Sequence, residues 1–359
     1  MKKKLCLLLV ICMLLSICAA CGNTTANTDP KTTEATTREF VDSTGRTVTV
    51  PAEIQHIAIS GPLSQVYIIP IAADMLVGVS SSFAEDEKLY LPDSLTGLPE
   101  LGQLYGGKGE MDLEALLAAD PDVVIDIGEA KDTIVEDMNS LTEQTGIPFI
   151  HIDATVKTSA DAYRMLGDLL GRKDKAEELA TWCESTFSMI SDMMEKVDAD
   201  NARKTMLYCL GDAGVNVLAE GSFHAETVNM LSKNLAVIDD VVSSGGGNET
   251  DLEQIILWNP EVIVFAPDSI YDTVGQSAEW KSVNAIASGN YYKTPYGPYG
   301  WLSSPHAVQR YLGMLWLGAL LYPDYAEYDL QEEVTDYYKL FYGCDLTDEM
   351  YNDLIKDAM

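Results

Sequence analysis

The sequence predicts an α/β protein of two Rossmann-like α/β lobes joined by one long rigid interlobe helix. Three observations carry that prediction. First, a twenty-residue stretch occurs twice, at 106–125 (GGKGEMDLEALLAADPDVVI) and 245–264 (GGGNETDLEQIILWNPEVIV). Eight of its positions are identical at a constant offset of 139, so two distant parts of the chain share one plan. Second, β-prone apolar runs alternate with helical patterns on both sides of the chain's middle, the mark of parallel strands with covering helices. Third, the middle itself is helical throughout, with apolar residues such as Leu179, Trp182, Phe187, Ile190, Met194 and Val197 at three- and four-residue spacing.

Taken in order, 40–50 (FVDSTGRTVTV) reads as a hairpin turning at Ser43-Thr44-Gly45. A strand at 54–60 ends at Gly61-Pro62, and a helix begins near Ser64. Another strand is expected at 75–80, then the first duplicated unit, a helix at 132–144 and a strand at 147–152. These make a first lobe over 39–157, with a parallel sheet as the expected core. Connecting helices fill 158–199, divided at Gly171. A second helix of about 25 residues is about 38 Å long, enough to hold two lobes apart. The second lobe, 200–359, opens with a strand at 205–210, a Gly211-Asp212-Ala213-Gly214 turn, a strand at 215–219 and a helix at 223–233. After the second duplicated unit come a helix near 278–286 and a strand at 291–294. The next helix, 305–321, is expected to be capped by Ser304 with Pro305 in its first turn. Helices at 330–341 and 347–356 close the chain.

A net charge of -33 speaks against nucleic acid as a partner, because phosphate recognition needs clustered Lys and Arg. Lys2, Lys3 and Lys4 precede an apolar run, 5–17, too short to span a bilayer comfortably; 1–20 reads as a signal peptide. It ends in Cys18-Ala19-Ala20-Cys21-Gly22, which resembles a bacterial lipobox with Cys18 where Leu is usual. That resemblance makes Cys21 a lipidated first residue of the mature chain; the alternative is signal cleavage without lipid. The Thr- and Asn-rich stretch 21–38 then serves as a disordered tether. Cys183, Cys209 and Cys344 are odd in number and widely spaced, so neither a disulfide framework nor a zinc site follows from them.

The hairpin VDSTGRTVTVP, the PDVVI and PEVIV strands after their Asp-Leu-Glu helices, the GSFHAETVNML stretch and the WLGALLYPD helix end occur in a telling order. With the leader and the long helix, they resemble the solute-binding lipoproteins of ABC importers for iron–siderophore, haem and cobalamin complexes. The resemblance covers 40–359. It implies a monomer, anchored by lipid to the outer face of a bacterial cell membrane, that delivers a metal chelate to an ABC permease dimer with its ATPase subunits. It also implies that one glutamate per lobe docks on the permease; the matching positions are Glu114 and Glu253. Each has a plainer role open to it. Glu253 follows Thr250 by three residues and fits a capping box, whereas Glu114 has Met111 at that place and would only favour a helix's first turn.

The ligand is expected between the lobes. The loop 291–304 (YYKTPYGPYGWLSS) supplies aromatic walls in Tyr296, Tyr299 and Trp301, and Ser303 lies at the next helix start. Arg310 would meet an anionic group or an acidic neighbour. Tyr105 and His224 complete the candidates, with Gly61-Pro62, Gly128-Glu129 and Gly211-Asp212 on the rim. The histidines, His56, His151, His224 and His306, each stand alone in their segment, which gives no bare-metal site. Gly102-x4-Gly107-Lys108 mimics a phosphate loop, but Gly109 replaces the Ser or Thr that would hold magnesium. No Gly-x-Ser-x-Gly elbow is present, so no enzyme and no cofactor are expected. A molybdate- or tungstate-binding protein of the same fold and an extracytoplasmic sensor lipoprotein are the alternative functions.

Overall fold

The computed structural model describes residues 36–105, 110–243, 245–303 and 305–359. Residues 1–20, read as a signal peptide, and Cys21, Gly106 to Gly109 and Ser304 lie outside them. The described chain from Thr36 onward is one compact body.

The opening hairpin pairs β1 (Thr37–Val41) with β2 (Thr47–Pro51), antiparallel, in the register Phe40↔Val48. Asp42 builds its turn: Oδ1 accepts from Thr44 N at 3.0 Å and Arg46 N at 3.1 Å, and Oδ2 holds the Arg46 guanidinium at 2.6 Å. Gly45, at φ +82°, takes the left-handed position that a side chain would strain.

Three parallel strands form the first sheet in the order β3 (Ile57–Ile59), β4 (Val123–Gly128), β5 (Phe149–Asp153). Every residue of β4 is buried, as a strand covered on both faces requires. The run 75–80 is not a strand. Val77 N bonds Ile57 O, but Val79 N already turns to Pro99 O, so no ladder exceeds a single pair. Gly78 allows this switch because a Cβ there would stand 2.5 Å from Leu101.

The helix and strand of each copy of the repeat fold alike, down to the helix caps. Helices Leu113–Ala119 and Leu252–Trp258 begin at Asp112 and Asp251, whose side chains accept from Ala115 N at 2.9 Å and Gln254 N at 2.7 Å. They end at left-handed Asp120 (φ 49°) and Asn259 (φ 46°), equivalent positions 139 apart and two of the residue types that tolerate this region best. Leu116 and Ile255 are each fully buried. The capping box expected from Thr250 to Glu253 does not form. Asp251 takes the N-cap instead, placing Glu253 and Glu114 at the same second helical position.

Helices Ser159–Leu170 and Lys173–Ala199 meet at left-handed Gly171, as the pattern predicts. The longer, of 27 residues, is about 40 Å long. Its stripe Leu179, Cys183, Ile190 and Val197 belongs to one apolar cluster that takes Ile125 and Ile152 from the first lobe and Tyr208 and Val264 from the second. A shared core of this kind makes the connection rigid.

The second sheet runs β11 (Tyr291–Lys293), β10 (Val262–Phe265), β6 (Thr205–Leu210), β7 (Asn216–Val217), β9 (Asn248–Glu249), with β8 (Lys233–Asn234) also beside β6. It is mixed rather than parallel: β6, β8, β10 and β11 are parallel, but β6–β7 and β7–β9 are antiparallel. The turn with Gly211 (φ +77°) and Gly214 (φ +69°) sends the chain straight back and leaves no length for a crossover helix. The helix expected from Pro305 starts at Arg310 and ends at Leu321. Before it, Arg310 N bonds Ala307 O and Tyr311 N bonds Val308 O, three-residue steps that are tighter than an α-helix. Pro305 is therefore not its first residue, and Arg310 stands at its start. Helices Leu330–Tyr337, continued by a π-turn over Tyr338–Tyr342, and Asp348–Ile355 complete the lobe. Among the described residues no helix is long and apolar enough to cross a membrane.

Candidate ligand-binding site

Two short turns of the second lobe bring the site together. Ser222 caps the first, accepting from His224 N at 3.2 Å, and the chain continues into helix Glu226–Leu231. The second, 305–309, leads into the helix that begins at Arg310. Between them His224 and His306 stand edge to face, with ring centroids 4.0 Å apart and planes at 80°. Arg310 is fully buried. Its Nη1 bonds Glu226 Oε2 at 2.9 Å and Phe223 O at 3.3 Å, its Nε bonds Ala307 O at 3.3 Å, and its guanidinium lies 4.8 Å from the Phe223 ring centre.

Several polar atoms here are buried without a partner: Arg310 Nη2, His224 Nδ1, His306 Nε2, Gln309 Oε1 and Thr227 Oγ1. Leaving such a group unpaired costs about 1–3 kcal/mol each, more when it is charged. Burial pushes the His224 imidazole down to about 4, helped by the charges of Arg310 and of Lys131 from the first lobe. Burial, His224 and Arg310 hold His306 well below the ordinary histidine value. Both rings are neutral near pH 7, each with one N–H and one lone pair. A Cβ on Gly245, from the second duplicated loop, would lie 3.9 Å from His224 Cε1, so that loop borders the cluster.

The aromatic loop is placed differently from its expected role as ligand wall. Tyr299 is buried, and its hydroxyl accepts from Gln65 Nε2 of the first lobe at 3.0 Å. Trp301 is fully buried with Nε1 on Tyr338 OH at 3.4 Å, and Ser303 Oγ lies 2.5 Å from Tyr208 OH. Trp301 and Ser303 are fully buried in the packed interior, and Tyr299 is nearly so. Tyr296 stays exposed, and its hydroxyl bonds the Glu87 carboxylate of the first lobe. The loop thus ties one lobe to the other. Tyr105, in the first lobe, donates to Asp137 Oδ2 at 2.8 Å.

Glu114 and Glu253 are exposed on their twin helices, where neither is needed as a cap. In the first lobe Ser60 donates to Asp126, whose other oxygen lies 2.6 Å from His151 Nδ1. The carboxylate sits between serine and imidazole, the reverse of the order in which an imidazole takes a serine's proton. No group of three or more His, Cys, Asp or Glu suited to a metal ion occurs among the described residues. A surface groove of about 630 Å³ runs along the long helix, lined by Glu184, Met189, Asp192 and Tyr328. It holds none of the unpartnered buried atoms, so the histidine–arginine cluster is the better candidate.

The pairing of His224 with His306 had a signal in the chain. Ser-Phe-His-Ala at 222–225 and Ser-Pro-His-Ala at 304–307 share a Ser-x-His-Ala pattern. Reading each histidine as alone in its segment passes over it.

Residues 69–296 match the family described as periplasmic binding protein. The chain is 22% identical over 312 residues to an iron-uptake system-binding protein of Bacillus subtilis, covering 82% of this chain and 92% of that one. It is similar in structure to an ABC transporter solute-binding protein from Sulfurospirillum deleyianum, with a TM-score of 0.81 and 27% identity over 89% of this chain and 99% of that one. It also shares the fold of a molybdate periplasmic binding protein from Haemophilus influenzae, with a TM-score of 0.69 and 19% identity over 86% and 99% of the two chains.

Proposed function

This chain belongs to the periplasmic binding protein family, whose members bind small molecules and deliver them to ABC permeases, and on that premise we propose that it captures an iron complex or similar metal chelate. The iron-uptake relative supports the choice of cargo. The observation that carries the site is the set of buried, unpartnered atoms Arg310 Nη2, His224 Nδ1 and His306 Nε2, which a bound group would satisfy. The protein holds its ligand by shape and polar contact and does no chemistry on it. In this reading Tyr296 and Tyr105 also contact the ligand, while Glu114 and Glu253 meet the permease, one from each lobe. Cys21 carries the lipid that keeps the protein at the outer face of the membrane, and it works as a monomer.

Thermal unfolding against haem, cobalamin, a ferric hydroxamate, ferric citrate, molybdate and tungstate tests the cargo. A rise in melting temperature with a metal chelate is expected, since a ligand at a hundred times its Kd adds about 2.7 kcal/mol of stability. No rise with any of these compounds would refute the solute-binding role for this class.

A further inference from the structure

We infer that the ligand presents an anionic, oxygen-bearing group to this cluster, received by Arg310 Nη2 with the N–H groups of His306 and His224. The inference presupposes the solute-binding role and adds the chemistry of the contact. Arg310 is fully buried and His306 nearly so, and each keeps one nitrogen without a partner. A guanidinium has only donors to offer, so its free Nη2 calls for an acceptor. A neutral imidazole can present either an N–H or a lone pair, and the local charge decides between them. Arg310 and Lys131 both act on the His224 ring, each beside a carboxylate, Glu226 at 2.9 Å and Glu129 at 4.0 Å. With the arginine offering only donors, a carboxylate or oxo group is the fitting partner, and each imidazole turns its N–H toward it.

Glu226 tunes the site. Its carboxylate is held by Arg310 Nη1 at 2.9 Å and by Val156 N at 3.3 Å, so it already answers part of the arginine's charge. It leaves Nη2 as a directional donor. Two sources fit this chemistry, a carboxylate on a metal chelate and a free tetrahedral oxyanion.

Calorimetric titration with ferric citrate, molybdate, cobalamin and a cationic ferric trihydroxamate separates the cases. Binding of ferric citrate or molybdate is expected, with affinity falling as salt is added. Arg310→Gln should weaken it about tenfold to a hundredfold, the worth of a hydrogen bond to a charged group. Glu226→Gln should strengthen it, an effect that a merely structural role for Glu226 would not produce. Should Arg310→Gln fail to fold, His306→Gln and Glu226→Gln carry the same comparison. Molybdate binding without ferric citrate supports the anion contact and replaces the chelate by a free oxyanion. Cobalamin or the trihydroxamate binding while both anions fail overturns the anion contact and leaves the solute-binding role standing. Anion affinity unchanged in both Arg310→Gln and Glu226→Gln also overturns it, and no binding by any of the four refutes both.

Discussion

Gln65 of the first lobe and Tyr299 of the second share a buried hydrogen bond, Nε2 to hydroxyl, at 3.0 Å. The same amide's oxygen accepts from Ser80 N at 2.8 Å, so one side chain secures a first-lobe loop and the second-lobe aromatic loop together. Tyr299→Phe should cost about 1 kcal/mol of unfolding free energy. Gln65→Leu, which orphans two buried groups, should cost about 2–5 kcal/mol. Urea titration measures both, and equal, negligible losses would show that the tie does not bind the lobes.

The duplicated helices separate docking from stability. Glu114→Ala with Glu253→Ala should abolish stimulation of the permease ATPase while ligand affinity and melting temperature stay near wild type, because Asp112 and Asp251 do the capping. Asp251→Ala should instead cost about 1 kcal/mol of stability. Stimulation retained in the double glutamate variant would exclude these residues as the docking pair.

Left-handed Asn259 ends the second repeat helix. Asn259→Gly should leave stability unchanged or slightly raised, whereas Asn259→Val should lower it by about 1–2 kcal/mol, since a β-branched residue suits positive φ poorly. Thermal unfolding of the pair checks the difference, and the reverse order would contradict the backbone geometry.

His224 and His306 set an acid limit. The His224 value lies near 4, below the ordinary 6.5, so protons bind the unfolded chain more readily than the folded one. Stability from this group is full above about pH 6.5 and is lost as pH falls toward 4, by about 2–3 kcal/mol. His306 acts in the same direction. His224→Gln should flatten the fall in urea midpoint between pH 6.5 and 4.5. An unchanged slope would place the acid sensitivity elsewhere.

Local signals carried much of the fold. The hairpin follows from Asp42 and Gly45, and the repeat helices from an aspartate before and a Pro turn after. The break at Gly171 follows from the missing side chain. The run 75–80 misled because it is short and apolar like a buried strand while its hydrogen bonds are divided between β3 and residues 99–101. Pro305 misled because a good first helical residue does not choose between an α-turn and a tighter one.

By itself the sequence determined two lobes, their shared plan, the long helix between them and the exposed glutamates, because periodicity, capping and turn chemistry act within a few residues. Only the tertiary structure decided that Trp301 and Tyr299 pack inward, that β7 runs against β6, and that His224 meets His306 across 82 positions. Those outcomes depend on which distant surfaces share a core and which buried atoms find partners. That competition is settled only when the whole chain has packed.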